Sequence, residues 1–235
     1  MRALQRPAPA TRLRRMHDRL AGAYGPQNWW PARNPFEVIL GAYLTQNTAW
    51  KAVELSLDNL RNAGALTLDA LRSVALEDLQ RLIRPSGFCT RKAPALKAFI
   101  TMLDTEFAGS LCALAATPTQ PLRSRLLALP GVGPETADSI LLYALKHPVP
   151  VADEYLRRIA ERHQLLTPAP ERNRKGYESL VQLTRDAFAS DAAEHLVPLF
   201  NEFHALAVAV GKAHCRKTAD CTSCPLAGDL RYARA

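Results

Sequence analysis

The chain has 235 residues, which is enough to bury one large or two small hydrophobic cores. Alanine and leucine are abundant, glycine is sparse at 11 residues, and runs of β-branched residues are missing, so the composition favours an all-α protein. A net charge of +8 fits a phosphate-bearing partner. Because no apolar run has membrane-spanning length, we expect no membrane association.

The N-terminal segment is basic and then becomes helical. Arginines precede the first acidic residue, Asp18, but serine is missing there and two prolines are present, which argues against a transit peptide. We interpret the segment as a frayed basic arm that faces the phosphate-bearing partner, with a solvated tail as the alternative. Leu13, Met16 and Leu20 recur at helical spacing, and Gly25-Pro26 ends that first helix. The arginines are Arg2, Arg6, Arg12, Arg14 and Arg15.

Helices account for the rest of the predicted elements. Asn34-Pro35-Phe36-Glu37 combines a capping Asn, a Pro at the first helical position and a Glu at the third, and it starts a buried helix that reaches about Gln46. Thr48 can cap the next helix, which ends at Asn62-Ala63-Gly64. Asp153 stands where another helix N-cap is expected. Further helices are predicted over 68–74, 77–84, 92–107, 119–128, 134–146, 173–189 and 191–213.

A short turn between two of these helices has the features of a phosphate contact. It consists of Leu129-Pro130-Gly131-Val132-Gly133-Pro134. Gly131 and Gly133 flank one small apolar residue and let the backbone approach a partner closely. Pro134 at the first helical position leaves neighbouring N–H groups to face an anion. The pattern predicts a helix-hairpin-helix that binds a nucleic-acid phosphate; a turn that only joins two packed helices is the alternative.

The hairpin and Asp153, which follows some fifteen residues after Asp138, together resemble the endonuclease III superfamily of DNA glycosylases over about residues 28–225. The resemblance implies an all-α, two-lobed helix-hairpin-helix glycosylase fold with the active-site cleft between the lobes. One lobe would be a helical barrel over 36–147, with the hairpin at about 122–146. The other lobe would combine residues 1–35 and 148–235.

The implied partner is double-stranded DNA that contains a damaged base, and we expect a monomer.

Two carboxylates carry the chemistry that the resemblance implies. Asp153 matches the family aspartate that stabilises the cationic sugar and positions a water; a plain helix cap is the alternative. Glu135 occupies the position at which bifunctional members carry a lysine that forms a Schiff base with the sugar. The resemblance therefore implies a monofunctional enzyme, although Glu135 could also be a solvated first-turn glutamate.

The tryptophans resemble a specific branch of the superfamily, the endonuclease III-like 3-methyladenine DNA glycosylases. Trp29-Trp30-Pro31 and Trp50 would line the base pocket there, with Lys212 as a candidate pocket cation. An N3-methylated purine is cationic, so it stacks well on an electron-rich indole. Packing in a core or an interface is the alternative for these tryptophans.

A flipped base leaves a hole in the duplex that the protein must fill. Gln46 matches the family glutamine that enters the duplex, and the loop around Phe88 supplies a wedge on the other strand; a polar residue at a helix end is the alternative for Gln46. We therefore expect DNA contacts from the loop residues, two cations and the hairpin. The full set is Gln46, Phe88, Arg91, Lys92, Gly131, Val132, Gly133 and Thr136.

The C-terminal cysteines resemble an incomplete cluster site. Family members with an iron–sulfur cluster end in four cysteines, whereas this chain offers Cys215, Cys221 and Cys224 and has Leu230 at the fourth position. A [4Fe–4S] cluster completed by another ligand, a zinc ion and a remnant of a lost site all stay open. The other candidate ligands are Asp229, Tyr232, His214 and an external group, whereas His163, His195 and His204 are interpreted as structural histidines.

The sequence thus favours a DNA repair enzyme that releases alkylated purines. The alternatives are an endonuclease III-like glycosylase for oxidised or mismatched pyrimidines and a non-catalytic DNA-binding protein on the same scaffold. Five cysteines without a paired pattern indicate a reducing compartment. We therefore expect a cytoplasmic location, with association to the nucleoid if the protein is bacterial.

Overall fold

The computed structural model describes residues 6–232, and this part of the chain is built from helices. It contains no β-strand, and an isolated antiparallel bridge joins Cys215 to Ala219; the all-α prediction is confirmed. No helix in this range is both long and apolar enough to cross a membrane. The α-helices are α1 Pro9–Tyr24, α2 Pro35–Leu44, α3 Trp50–Asn62, α4 Leu68–Ser73, α5 Leu76–Leu82, α6 Cys89–Phe107, α7 Leu111–Ala115, α8 Thr119–Leu127, α9 Pro134–Ser139, α10 Glu154–Arg162, α11 Arg174–Ala187 and α12 Leu196–Ala213. Three 3₁₀ segments, Arg84–Ser86, Ala193–His195 and Ala227–Tyr232, and a π-helical turn, Ile140–Ala144, complete the described elements.

The chain divides into two compact units. The terminal unit contains the described residues up to Trp29 and those from Pro148 onward, and the central unit runs from Trp30 to His147. The sequence placed the corresponding boundaries after residues 35 and 147. The observed boundary separates Trp29 from Trp30, which the sequence had kept in one part of the chain.

Helix α2 forms the middle of the central unit's core. All its residues except Pro35 are buried, and it packs against α3, α6 and the π-helical turn. Asn34 Oδ1 accepts a hydrogen bond from the Glu37 backbone N–H at 2.9 Å, so the predicted capped start is confirmed. Glu37 itself is buried and pairs with Arg61 across 2.9 Å.

Two element boundaries in the central unit differ from the expectation. Thr48 does not cap α3, because that helix begins at Trp50 with Ala49 as its N-cap residue; the Thr48 hydroxyl lies 2.6 Å from the Ser86 carbonyl oxygen instead. The predicted helix over 134–146 stays α-helical only as far as Ser139 and continues as the π-helical turn. Such a turn places an extra residue in the helix and so changes the direction of the side chains that follow.

In the terminal unit, the N-terminal arginines are part of a packed helix. Arg12 is fully buried: its Nε and Nη2 donate to Asp229 at 3.1 and 2.5 Å, and Nη2 also donates to the His163 carbonyl oxygen at 2.7 Å. Arg14 pairs with Asp191. The prediction of a frayed basic arm is therefore wrong for α1, whose apolar face packs on α11 and α12. Arg2, named in that prediction, lies outside the described residues.

Candidate active site

Asp153 is held at the start of a helix. Its backbone is extended, with φ −84° and ψ 178°, and its Oδ1 accepts a hydrogen bond from the Leu156 backbone N–H at 2.8 Å, so the predicted N-cap is confirmed. The carboxylate is 8% exposed. Its Oδ2 lies 3.7 Å from Nε2 of His204, which is too far for a hydrogen bond. The start of a helix is a favourable place for a negatively charged side chain.

A close helix contact positions α10, and with it Asp153. Gly211 on α12 faces the ring of Tyr155 on α10, and a Cβ atom at Gly211 would lie only 2.2 Å from Tyr155 Cδ1. A larger residue at Gly211 would therefore push the two helices apart. The sequence contains this signal only as a lone glycine near the end of a helix.

The helix-hairpin-helix lies in the central unit as α8, the turn and α9. Gly131 has φ 74°, which residues other than glycine rarely adopt, and both Gly131 and Gly133 are exposed while Val132 is buried. Arg123 of α8 clamps Asp138 of α9 with two hydrogen bonds of 2.6 and 2.9 Å. These two hydrogen bonds join the helices on either side of the exposed turn.

Glu135 is exposed in the first turn of α9. It belongs to the central unit, whereas Asp153 belongs to the terminal unit. The next residue, Thr136, is buried and its hydroxyl accepts a hydrogen bond from Gln46 Nε2 at 2.9 Å.

An aromatic cluster gathers two of the predicted pocket tryptophans. The ring centroid of Trp30 lies 5.3 Å from those of Trp50 and of Tyr143, and the two indoles meet edge to face. Gly41 of α2 allows this packing, since a Cβ atom there would lie 3.0 Å from the Trp30 ring. Tyr143 was not among the sequence-based candidates; it sits on the π-helical turn, which no pattern in the sequence revealed.

The remaining pocket candidates are Trp29, Lys212 and Pro31. Trp29 belongs to the terminal unit, where Nζ of Lys212 lies 6.0 Å from the centre of its ring. Pro31 is exposed. An ammonium on the Trp29 face already provides the cation–π contact that a cationic base would seek there.

Two loops of the central unit carry the residues predicted to enter the duplex. Phe88 is 58% exposed and adopts a left-handed backbone conformation with φ 48° immediately before α6. Gln46 follows α2, and its Nε2 donates to the Gly131 carbonyl oxygen and to Thr136 Oγ1, each at 2.9 Å. Arg91 is exposed on the first turn of α6. The DNA contacts of these residues stay predictions.

Lys92 is not placed as a surface cation. It is 4% exposed, and its Nζ donates to the carbonyl oxygens of Leu44 and Ser86 and to the hydroxyl of Thr48 at 2.7 to 2.8 Å. All three ammonium protons have acceptors within the protein. The predicted phosphate contact does not fit this geometry, because the Lys92 ammonium is buried and bonded inside the protein.

The three C-terminal cysteines line one small cavity together with His214 and Leu230. Arg162 Nη1 donates to Cys215 Sγ at 3.0 Å, and burial together with the nearby Cys221 and Cys215 thiols raises the pKa of Cys224. Within residues 6–232, no group of three or more histidine, cysteine, aspartate or glutamate side chains is placed to hold a single metal ion. Asp229 and Tyr232 do not line the cavity, whereas His214 Nδ1 is buried and has no hydrogen-bond partner in the described structure.

A comparison with models of protein families finds one that matches most of the chain. Residues 40–182 match the model of the HhH-GPD superfamily of base excision DNA repair proteins, a range that includes the hairpin and Asp153. The chain belongs to the HhH-GPD superfamily. It is thus a DNA glycosylase of base excision repair, and the resemblance seen in the sequence is confirmed.

Relatives of the HhH-GPD superfamily cover nearly the whole chain. A protein of Methanocaldococcus jannaschii with the provisional name DNA repair glycosylase is 39% identical over 86% of this chain and 88% of its own. The thymine/uracil-DNA glycosylase of Pyrobaculum aerophilum is 27% identical over 86% of this chain and 82% of its own. The crystal structure of the Helicobacter pylori 3-methyladenine DNA glycosylase bound to 1,N6-ethenoadenine matches with a TM-score of 0.71 and 28% identity, covering 88% of this chain and 98% of that one. The glycosylase fold is confirmed.

Proposed function

We propose that the protein is a monofunctional DNA glycosylase that flips an alkylated purine such as 3-methyladenine out of the duplex and hydrolyses its bond to the sugar, leaving an abasic site. The observation that carries the proposal is Glu135 in the first turn of α9. Strand-cutting members of the superfamily place a lysine at this position, and a carboxylate cannot form the Schiff base through which that lysine acts.

Asp153 supplies the charge that base release needs. As the base leaves, the sugar becomes cationic, and a fixed carboxylate stabilises that cation and orients the attacking water. Burial and the hydrogen bond from the Leu156 N–H hold the Asp153 carboxylate in one orientation. A group held in this way needs no reorganisation during the reaction.

The aromatic cluster supports a purine made cationic by alkylation. Trp30, Trp50 and Tyr143 group electron-rich rings in the central unit, and such rings attract a cationic base beyond the gain from burial. The Helicobacter pylori relative is named for the release of 3-methyladenine and was crystallised with an etheno derivative of adenine. An alkylated base also has a weakened bond to the sugar, so one carboxylate suffices for catalysis.

A second candidate is a glycosylase for oxidised or mismatched pyrimidines. The Pyrobaculum aerophilum relative is named for thymine and uracil, and the hairpin and aspartate serve either substrate class. A non-catalytic DNA-binding protein is a third candidate. The buried, oriented Asp153 argues against it.

One assay separates these candidates. Duplexes that carry methylated, oxidised and mismatched bases are incubated with the protein, and the released bases are identified; a parallel reaction contains borohydride. We expect release of 3-methyladenine and no borohydride-trapped complex. Release of pyrimidines alone would favour the second candidate, no release the third, and a strong trapped band would contradict the monofunctional assignment.

We also propose that the cysteine cavity binds a [4Fe–4S] cluster through Cys215, Cys221 and Cys224, with His214 as the fourth ligand. Thiolates suit iron–sulfur clusters, and such a cluster spaces its ligands farther apart than one ion does. When bound, it would serve as a cross-link between the end of α12 and the C-terminal segment. The visible absorption spectrum and the iron and sulfide content of protein purified without oxygen test this; colourless, iron-free protein would contradict it.

The same proposal places a monomer in the cytoplasm, on chromosomal DNA. None of the five cysteines, all of which the structure describes, is paired in a disulfide, as expected in a reducing compartment, and the net charge of +8 favours association with phosphate. Light scattering with and without duplex would show one protein per DNA molecule.

A further inference from the structure

Lys92 lies between the two loops that carry Gln46 and Phe88. We name these the glutamine loop, residues 45–48, and the wedge loop, residues 84–88. The glutamine loop follows α2, and the wedge loop contains the 3₁₀ segment Arg84–Ser86 and leads into α6. Each loop includes a residue with positive φ, Asn47 at 50° and Phe88 at 48°, and neither loop has a strand or long helix of its own to fix it.

The Lys92 ammonium bonds to both loops at once. It donates to the Leu44 carbonyl oxygen at the end of α2 and to Thr48 Oγ1, at 2.7 and 2.8 Å, and to the Ser86 carbonyl oxygen of the wedge loop, at 2.8 Å. Three acceptors match the three protons of an ammonium group. The side chain therefore connects the two loops through a single point.

Two further contacts strengthen this connection. Thr48 Oγ1 lies 2.6 Å from the Ser86 carbonyl oxygen and 3.0 Å from that of Gln46, so the hydroxyl links the loops directly as well. The Lys92 Nζ lies 6.0 Å from the centre of the exposed Phe88 ring. Burial lowers the pKa of Lys92 to about 8, which leaves the group mostly charged at neutral pH and able to donate all three bonds.

We propose that Lys92 is a positioning residue that sets the spacing between Gln46 and Phe88, so that both side chains enter the duplex together when a base is flipped. The proposal rests on the proposed function only in assuming that these two side chains contact DNA. It does not depend on which base is released. Lys92 acts through the two loops and touches no DNA itself.

Lys97 on the same helix provides a matched control. Its Nζ also donates to three oxygen atoms, the carbonyl oxygens of Leu71, Arg72 and Val74, at 2.5 to 3.0 Å. Burial lowers its pKa as well. Those acceptors belong to the C-terminal end of α4, away from either loop, so Lys97→Met removes the same chemistry without affecting the loop spacing.

The test measures distortion of DNA at saturating protein. A duplex carries a tetrahydrofuran abasic-site analogue with 2-aminopurine opposite it, and 2-aminopurine fluoresces more strongly when it is unstacked. Wild-type protein and the Lys97→Met variant should raise the fluorescence equally. Lys92→Met should lose at least half of that rise while still binding, because the two side chains no longer enter in register. On a duplex that contains 3-methyladenine, release per bound complex should fall by about 10- to 100-fold, the range expected for a misplaced group.

Thr48→Val is the second variant, which is nearly isosteric and removes the hydroxyl bridge. It should lower the fluorescence rise in the same direction, and its effect should not add to that of Lys92→Met, because both act on one connection. An undiminished rise with Lys92→Met, or an equal loss with Lys97→Met, would overturn the proposal. If Lys92→Met fails to fold, an undiminished rise with Thr48→Val overturns it. Failure of the proposed function would instead appear as wild-type protein that unstacks the probe but releases no alkylated purine.

Discussion

Asp153 and Asp229 are both buried in the terminal unit, and the protein holds them in different ways. Asp229 accepts hydrogen bonds from Arg12 at 3.1 and 2.5 Å and lies 2.9 Å from Nδ1 of His163. Asp153 accepts one backbone N–H bond, and in the described part of its unit no arginine or lysine pairs with it. The negative charge of Asp229 is thus balanced within the fold by Arg12, whereas we propose that the charge of Asp153 acts on a substrate cation.

The comparison shows what distinguishes a structural carboxylate from the one that we propose to be catalytic. Burial does not distinguish them, since Asp153 is 8% and Asp229 5% exposed. The partners do: the Arg12 guanidinium and the His163 ring both contact the Asp229 carboxylate, while Asp153 depends on the weaker field of a helix end. Asp138 in the hairpin is also a structural carboxylate by this criterion, because it forms an ion pair with Arg123.

The largest effect on stability is expected at Asp229. Asp229→Asn leaves the buried Arg12 guanidinium without a counter-charge, and breaking a buried pair in this way costs about 3–5 kcal/mol. Urea unfolding at neutral pH should show this loss. Asp153→Asn is the matched control and should change the free energy of unfolding by less than about 1 kcal/mol, because Asn caps a helix as well as Asp does.

The stability difference between wild type and Asp229→Asn should depend on pH. The hydrogen bonds and charges of His163 and Arg12 hold the pKa of Asp229 below its usual value, against the effect of burial. A lowered pKa contributes stability that is present above the unfolded-state pKa of about 3.9 and is lost as the pH falls through the folded-state value. The stability gap between wild type and Asp229→Asn should therefore close in acid. A gap that is constant from pH 7 to pH 3 would contradict the charge-based explanation.

A smaller effect is expected at the tryptophans, which extend the comparison to aromatic groups. Trp30→Leu removes an indole from the cluster with Trp50, worth about 0.5–2 kcal/mol towards a cation, so release of 3-methyladenine should fall roughly 2- to 30-fold. Trp29→Leu should cost less, because Lys212 already faces that ring. Both rates are measured against a neutral base that the enzyme accepts; equal losses on charged and neutral bases would count against cation recognition.

The sequence predicted the main parts of the site but not their connections. Local signals identified the capped starts at Asn34 and Asp153 and the hairpin turn, because each depends on residues that are neighbours in the chain. The acceptors of Lys92 come from positions 6, 44 and 48 residues away, so a surface contact was the natural expectation for a lysine.

The same limit applies to the other differences. The sequence interpretation assigns Arg12 to a frayed basic arm, because its partner, Asp229, is 217 residues away along the chain. Tyr143 lies on a π-helical turn, which has no periodic signature in the sequence. Long-range pairing and irregular helical turns are thus what sequence patterns did not show.

The central claim is that the Asp153 carboxylate acts on the reacting sugar. The most direct test is single-turnover base release from a methylated duplex by Asp153→Asn with protein in excess, with the dissociation constant measured on the same duplex. The substitution keeps the size and the capping oxygen and removes the charge, so release should fall by at least about 100-fold, the cost of removing one preorganised electrostatic group. Duplex binding should stay within a few-fold of wild type. Release within a few-fold of wild type would contradict the assignment.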